Sequence, residues 1–295
     1  ALAGGADGLH LPQGLLAKAV GVKRRYPGWL VTAAAHDAAA IAQAARNNVD
    51  AVLISPVFAT ASHPGATGLG VVRFAALAVA ARRLTLTFDN GPTPGVTEHV
   101  LDTLAERDLK ATFFVVGRDL LRDGRRELAE RTRAEGHWHG NHTMTHSVQF
   151  GMADDPDLPE REIGRAQEIL GDLSHPDRFF RPWGNGRISD RLLSRAAIDY
   201  LTAGGYTCVL WNCVPRDWED PDGWVDRALA IIDRQDWSVL VLHDQPTGAM
   251  AALPRFLDLI AERDVQIVRE FPDSCVPIRR GRRTGPLDGL YRETP

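Results

Sequence analysis

Only three cysteines (Cys208, Cys213 and Cys275) occur in 295 residues, with no CxxC pair among them, so a disulfide framework is excluded. Free thiols suit a reducing compartment. No apolar run approaches the ~20 residues that span a bilayer, so no transmembrane segment is expected. Ala1–Gly8 lacks a basic stretch followed by an apolar core and lacks an initiator Met. No export signal is therefore read there, the chain is expected to be processed or a fragment, and the compartment stays open. Repeats and low-complexity stretches are missing, as are glycine-rich nucleotide fingerprints where they would matter. A formal net charge of −4 sets nucleic acid aside as the main partner. Oligomeric state is not legible.

What is present is ordinary globular composition, 44% hydrophobic and 24% charged, enough for one large or two modest domains. Short β-branched or apolar runs predict strands at Trp29–Ala34, Ala51–Ser55, Leu84–Phe88, Ala111–Val116, Arg178–Arg181, Thr207–Trp211, Val239–Leu242 and Val265–Val268. Amphipathic segments lie between them, such as Thr93–Arg107 with its stripe Val96, Val100, Leu101 and Leu104. Alternation of this kind reads as α/β with parallel strands. Asp89, Arg181 and His243 then fall at strand ends, where such folds place catalytic side chains. His142 and His146, in Gly140–His146, are four apart. That spacing predicts two imidazoles on one side of a helical turn, able to reach one cation. By itself the spacing is weak; its companions at the strand ends give it weight.

Residues 1–83 are rich in alanine and carry Gly5–Leu11, Ala34-Ala35-His36-Asp37, Asp50–Phe58 and Ser62-His63-Pro64-Gly65. In order, these resemble middle-to-late strands of thiamine-phosphate synthase-like barrels, over roughly three βα units. The phosphate loop of a complete member is missing, since Arg73–Arg83 runs straight into Leu84. The segment is expected to be a partial barrel without synthase activity, a natural fusion or an artefact.

Residues 84–271 carry five motifs in an order that resembles the polysaccharide deacetylase (NodB-homology) family: Thr87–Pro92, His142 with His146, Arg181–Asn185, Asp217-Trp218 and Leu240–Asp244. The resemblance implies a distorted, incomplete (β/α) barrel with a divalent metal at its mouth, most often zinc. It implies a catalytic domain at 84–275; the arginine-rich segment 276–295 that follows, with Arg279, Arg280, Arg282 and Arg283, is expected from its charge to be a basic, poorly ordered tail. It makes Asp89 the general base, and Asn90, His142 and His146 the metal ligands. Asn90 stands where the family has a second aspartate. A neutral amide removes one negative charge, so metal affinity should fall while the remaining Lewis acidity rises. Arg181 would keep Asp89 ionised and oriented. The third motif is one residue shorter than the family's and lacks its tyrosine, so the backbone donor for the oxyanion falls to Trp183 or Gly184. Trp218 would wall an acetyl-sized pocket, and Asp217 would hold either the arginine or the acid histidine. His243 would be the general acid. Val241 replaces a preferred leucine, and His139 an apolar residue, either supplementing the site or lying buried near it with His137.

The chemistry implied is metal-dependent removal of an N-acetyl group from a carbohydrate. Three other readings stand beside it: a sugar-binding pseudoenzyme silenced by Asn90, a metal-independent amidase or deformylase, and, least favoured, thiamine-phosphate synthesis. Substrate choice would lie in the loops Gly151–Pro159 and Asp217–Gly223.

Overall fold

The computed structural model describes residues 8–47, 49–56, 82–263 and 265–291. The chain divides into two units, Ala1–Ala80 and Ala81–Pro295. In the first, β1 (Gly8–Leu11), β2 (Leu30–Ala35) and β3 (Ala51–Ile54) form a parallel sheet in that order. Burial alternates along β2, and Val31, Ala33 and Ala35 point into a core shared with Leu11, Leu16 and Ala44. Helices Ala19–Arg25 and Ala38–Arg46 make the crossovers that parallel strands require. β1 was not legible in the sequence, being four residues with a glycine start. The motif residues Val57, Phe58 and Ser62–Gly65, and Arg73–Ala81, lie outside the described residues.

The second unit is built around β4 (Arg82–Asp89), whose sequence explains its role. Leu84, Leu86 and Phe88 alternate with Thr85, Thr87 and Asp89. The first set faces an apolar layer with Val100, Leu101, Leu104 and Phe256 from the flanking helices Thr97–Ala105 and Leu253–Ala261. The second set faces the interior of the curled sheet. Burying one such Leu or Phe contributes about 1.5–3 kcal/mol, so the pleat is fixed strongly and Asp89 inward with it.

β5 (Thr112–Val115), β6 (Trp138–Asn141), β7 (Phe179–Phe180), β8 (Thr207–Cys208) and β9 (Trp237–His243) complete a parallel series β9-β4-β5-β6-β7-β8. β10 (Val265–Val268) joins β4 along Arg82–Thr85. The series bends back on itself: Cys213, beyond β8, bridges to Leu240 of β9. Asn212 seals that seam, its Oδ1 accepting from Val239 N at 2.7 Å and its Nδ2 donating to Trp237 O at 2.8 Å. Closure by one bridge and one side chain, in place of a strand, is what makes this barrel incomplete.

The strands expected from sequence are there, but Arg178–Arg181 and Thr207–Trp211 shorten to two residues each. β6, with the sequence Trp-His-Gly-Asn, was missed because it has no apolar alternation. The expectation of a poorly ordered tail from 276 is corrected. β11 (Ile278–Arg279) pairs antiparallel with Cys208 and with β12 (Arg282–Arg283), and Ile278, Leu287 and Leu290 are buried beside Tyr206 and Leu193. Apolar residues spaced among the arginines hold the segment down. All three cysteines are free and buried, and burial pushes the Cys208 and Cys213 thiols up to about 12. No helix among the described residues is long and apolar enough to cross a membrane.

Candidate active site

A pocket of about 200 Å³ opens where the strands of the second unit end, lined by Asp89, Asn90, His142, His146, Trp183, Gly184, Trp218, Val241 and His243. Arg181 and Asp217 lie fully buried beside these residues. Every site residue expected from the sequence is thus at the pocket or in contact with a residue that lines it.

Register brings the two central groups together. Asp89 of β4 pairs with His243 of β9, and register neighbours in a parallel sheet point to the same face. Arg181 Nη1 donates to Asp89 Oδ1 at 2.7 Å and to Thr87 Oγ1 at 2.7 Å. Its guanidinium lies 4.0 Å from the Phe114 ring centre, which accommodates a buried cation. Burial pushes the Asp89 carboxyl up, but Arg181, His142 and His243 outweigh it and hold the group below its ordinary value. Asp89 is therefore ionised at neutral pH.

The alternative left open for Asp217 is resolved: it holds the histidine. Asp217 Oδ1 accepts from His243 Nδ1 at 2.9 Å, and Oδ2 from His243 N at 2.8 Å. A carboxylate can only accept, so the Nδ1 proton is fixed and Nε2 faces the pocket. Burial pulls the imidazole down, yet Asp217 and Asp89 overcome it and raise His243 above its ordinary value. Trp218 packs edge-on to the His243 ring, with centroids 4.8 Å apart. A Cβ at Gly186, whose φ is +69°, would come within 3.1 Å of the Trp218 ring, so glycine there lets the indole close in.

His142 and His146 meet, with ring centroids 4.8 Å apart, but not on a helical turn. They sit in a loop after β6, with Thr143 and His146 at φ +69° and +52°. This corrects the helical expectation: two left-handed residues achieve the proximity that spacing alone suggested. His142 Nδ1 donates to Arg181 O at 2.8 Å, which leaves Nε2 as a lone-pair donor 3.6 Å from Asp89 Oδ2. Burial lowers both imidazoles, His146 to about 3, which favours their neutral forms at physiological pH.

Asn90 follows at φ +77°, a conformation asparagine tolerates. Its Oδ1 is buried without a hydrogen-bond partner among the described residues. An orphaned buried carbonyl oxygen is costly unless something else satisfies it. Among the described residues no three His, Cys, Asp or Glu side chains form a metal cluster. The donor set that fits a cation is two imidazoles and this amide oxygen. Behind it, Asp244 is fully buried, accepts from Thr97 Oγ1 at 2.5 Å, and is pushed up to about 7 by burial. A Cβ at Gly91 would lie 1.9 Å from Asp244 Oδ2, so glycine is required for the loop to carry Asn90 past that carboxyl.

His137 and His139 do not join the site. Both are buried, and burial lowers them to about 4 and about 3; His137 Nδ1 accepts from Ala111 N at 3.1 Å. Sequence reasoning quoted Thr87 and Asn141 within motifs but gave them no role, and it missed Glu162. Thr87 had a signal, since it lies two residues before Asp89 on the same face of β4.

Comparison with known proteins agrees with this geometry. The family model for polysaccharide deacetylase matches residues 77–203. A chitooligosaccharide deacetylase of Sinorhizobium fredii is 37% identical over 215 residues, 64% of this chain and 90% of that protein. The chain belongs to the polysaccharide deacetylase family. A peptidoglycan-N-acetylglucosamine deacetylase of Bacillus cereus is 30% identical over 190 residues, 63% of this chain and 84% of its own. A family 4 carbohydrate esterase from Streptomyces lividans, solved with acetate, superposes with a TM-score of 0.55 at 26% identity, covering 67% of this chain and 97% of that one. The model for thiamine monophosphate synthase matches residues 1–106. That match overruns the unit boundary at Ala80, and the polysaccharide deacetylase family fits the structure beyond it. Proteins of this family are generally metal-dependent, which suits the donor set at Asn90, His142 and His146.

Proposed function

We propose that the second unit removes N-acetyl groups from amino sugars of an oligosaccharide, with N-acetylglucosamine oligomers as the substrate class. One observation carries this reading. A carboxylate paired with Arg181 and an imidazole hydrogen-bonded to Asp217 stand on neighbouring strands, in a pocket also lined by Asn90, His142 and His146. The metal, zinc in this reading, would be held by Asn90, His142 and His146. When bound it supplies Lewis acidity toward the amide carbonyl and its water.

Asp89 takes a proton from the attacking water as the new C–O bond forms. A backbone N–H at Trp183 or Gly184 receives the developing oxyanion. His243 Nε2 gives its proton to the amine as the C–N bond breaks, leaving acetate and a free amino sugar. Trp218 and Trp183 wall the acyl group and exclude water.

Purified protein is expected to carry near-stoichiometric zinc and to release acetate from N-acetylglucosamine oligomers, with loss on chelation and recovery on zinc addition. Acetate release indifferent to chelators would instead establish a metal-independent amidase; sugar binding without acetate would establish a pseudoenzyme. The roles of acid and base also fix a pH dependence. His243 acts protonated and its pKa is raised, so kcat/KM should fall on the alkaline side, at a higher pH than an ordinary imidazole would set. Asp217→Asn removes the charge that raises it, so the alkaline limb should move to lower pH, with activity near pH 8 down about 10-fold. An unmoved limb would mean that His243 is not the acid.

A further inference from the structure

We infer that Glu162 is the positioning residue that gives this site its metal affinity, by clamping the loop that carries His142 and His146. The inference rests on the proposed metal-binding role of those histidines. The loop is strained: a β-branched Thr143 at φ +69° and His146 at +52° both hold a left-handed backbone that side chains other than glycine rarely adopt. Such a backbone persists only when its surroundings over-determine it, and here its polar groups can be accounted for one by one.

Gly117 N and Arg118 N donate to the carbonyls of Thr143 and Met144 at 2.9 and 3.0 Å. Asn141 Oδ1 accepts from Thr143 N at 2.9 Å, and Thr143 Oγ1 from His146 N at 3.0 Å. The middle of the loop depends on one carboxylate. Glu162 Oε2 accepts from Met144 N at 3.1 Å and Thr145 N at 2.9 Å, while Oε1 accepts from Thr145 Oγ1 at 2.6 Å. Glu162 is 93% buried (7% exposed) and sits on a π-helical turn, Glu160–Gly164. The same turn holds Asn141, whose Nδ2 donates to Ile163 O at 2.9 Å. The wide turn therefore offers one carboxylate and one carbonyl to a single loop, a local use of a geometry that is rare in helices.

Glu162 is not among the residues lining the pocket, so it acts through the backbone from which His146 projects. Its importance follows from Asn90. With an amide in place of a carboxylate, the three donors bring no charge of their own, and preorganisation of the imidazoles carries more of the affinity.

The test is Co²⁺ titration of the metal-free full chain, read by the d–d absorption band. Glu162→Gln keeps the volume but turns one acceptor into a donor facing N–H groups. Affinity should fall about 10–100-fold with an altered band shape. Thr145→Val, which removes the hydroxyl's bonds to Oε1 and to Ser147 Oγ but leaves both N–H bonds to Oε2, should fall less and keeps the test open if Glu162→Gln does not fold. Leu104→Ala, a core truncation remote from the loop, should lower stability and leave Co²⁺ affinity unchanged. Unaltered affinity and band in Glu162→Gln, with the parent binding Co²⁺, would overturn the clamp and leave the metal reading standing. A parent that binds no Co²⁺ would overturn both.

Discussion

Asp89→Asn is expected to lower acetate release by about 10²–10⁴-fold, the range for loss of a positioned general base. The same change should destabilise the fold, because Arg181 is fully buried and Asp89 is its ion-pair partner at 2.7 Å. Removing one member of a buried pair leaves an uncompensated charge and costs roughly 3–5 kcal/mol. Phe114 and Thr87 still contact the guanidinium, so the cost should sit toward the lower part of that range. Bound metal should persist, since Asp89 is not among the proposed ligands. Urea unfolding, metal analysis and acetate release measured on one preparation separate the three effects. Retention of more than about a tenth of the parent's activity would place the base elsewhere.

Asn90→Asp should move the protein the other way. Asn and Asp are nearly isosteric and both tolerate the left-handed backbone at φ +77°, so the loop need not move. The orphaned Oδ1 becomes part of a carboxylate, and the ligand set gains a negative charge. Metal affinity should rise by at least the ~10–100-fold that loss of even an outer-sphere partner costs. Acetate release at limiting metal should rise with it. At saturating metal the gain should vanish, since the extra charge weakens Lewis acidity. Without metal the new charge stands beside the Asp89 carboxylate, so the variant's thermal stability should become more metal-dependent than the parent's. A variant whose metal affinity matches the parent's would remove Asn90 from the ligand set.

Much of this site was legible because local chemistry and strand period are written in the residues themselves. The alternation Leu84-Thr85-Leu86-Thr87-Phe88-Asp89 commits Asp89 to the inner face, and apolar runs ending in Arg181 and His243 place those residues at strand ends. The family resemblance then pointed to the proposed donors, with Asn90 as the departure. What spacing could not decide was how the chain turns between them. The interval from His142 to His146 is compatible with a helical turn, yet the loop adopts two left-handed residues, because Glu162 and Asn141 supply hydrogen bonds that an isolated turn lacks. Nothing near Glu162 in sequence marks it, since its partners lie 17 and 18 residues upstream. Likewise Asp217 could have served either Arg181 or His243. Its choice of His243 follows from where the barrel seam closes at Cys213 and Leu240, a long-range contact that no window of sequence contains. Sequence determined which groups are available and which face they take, since side-chain chemistry and pleat are local. Tertiary structure decided which of them meet, since meeting depends on register, on seam closure and on the burial that sets their charge.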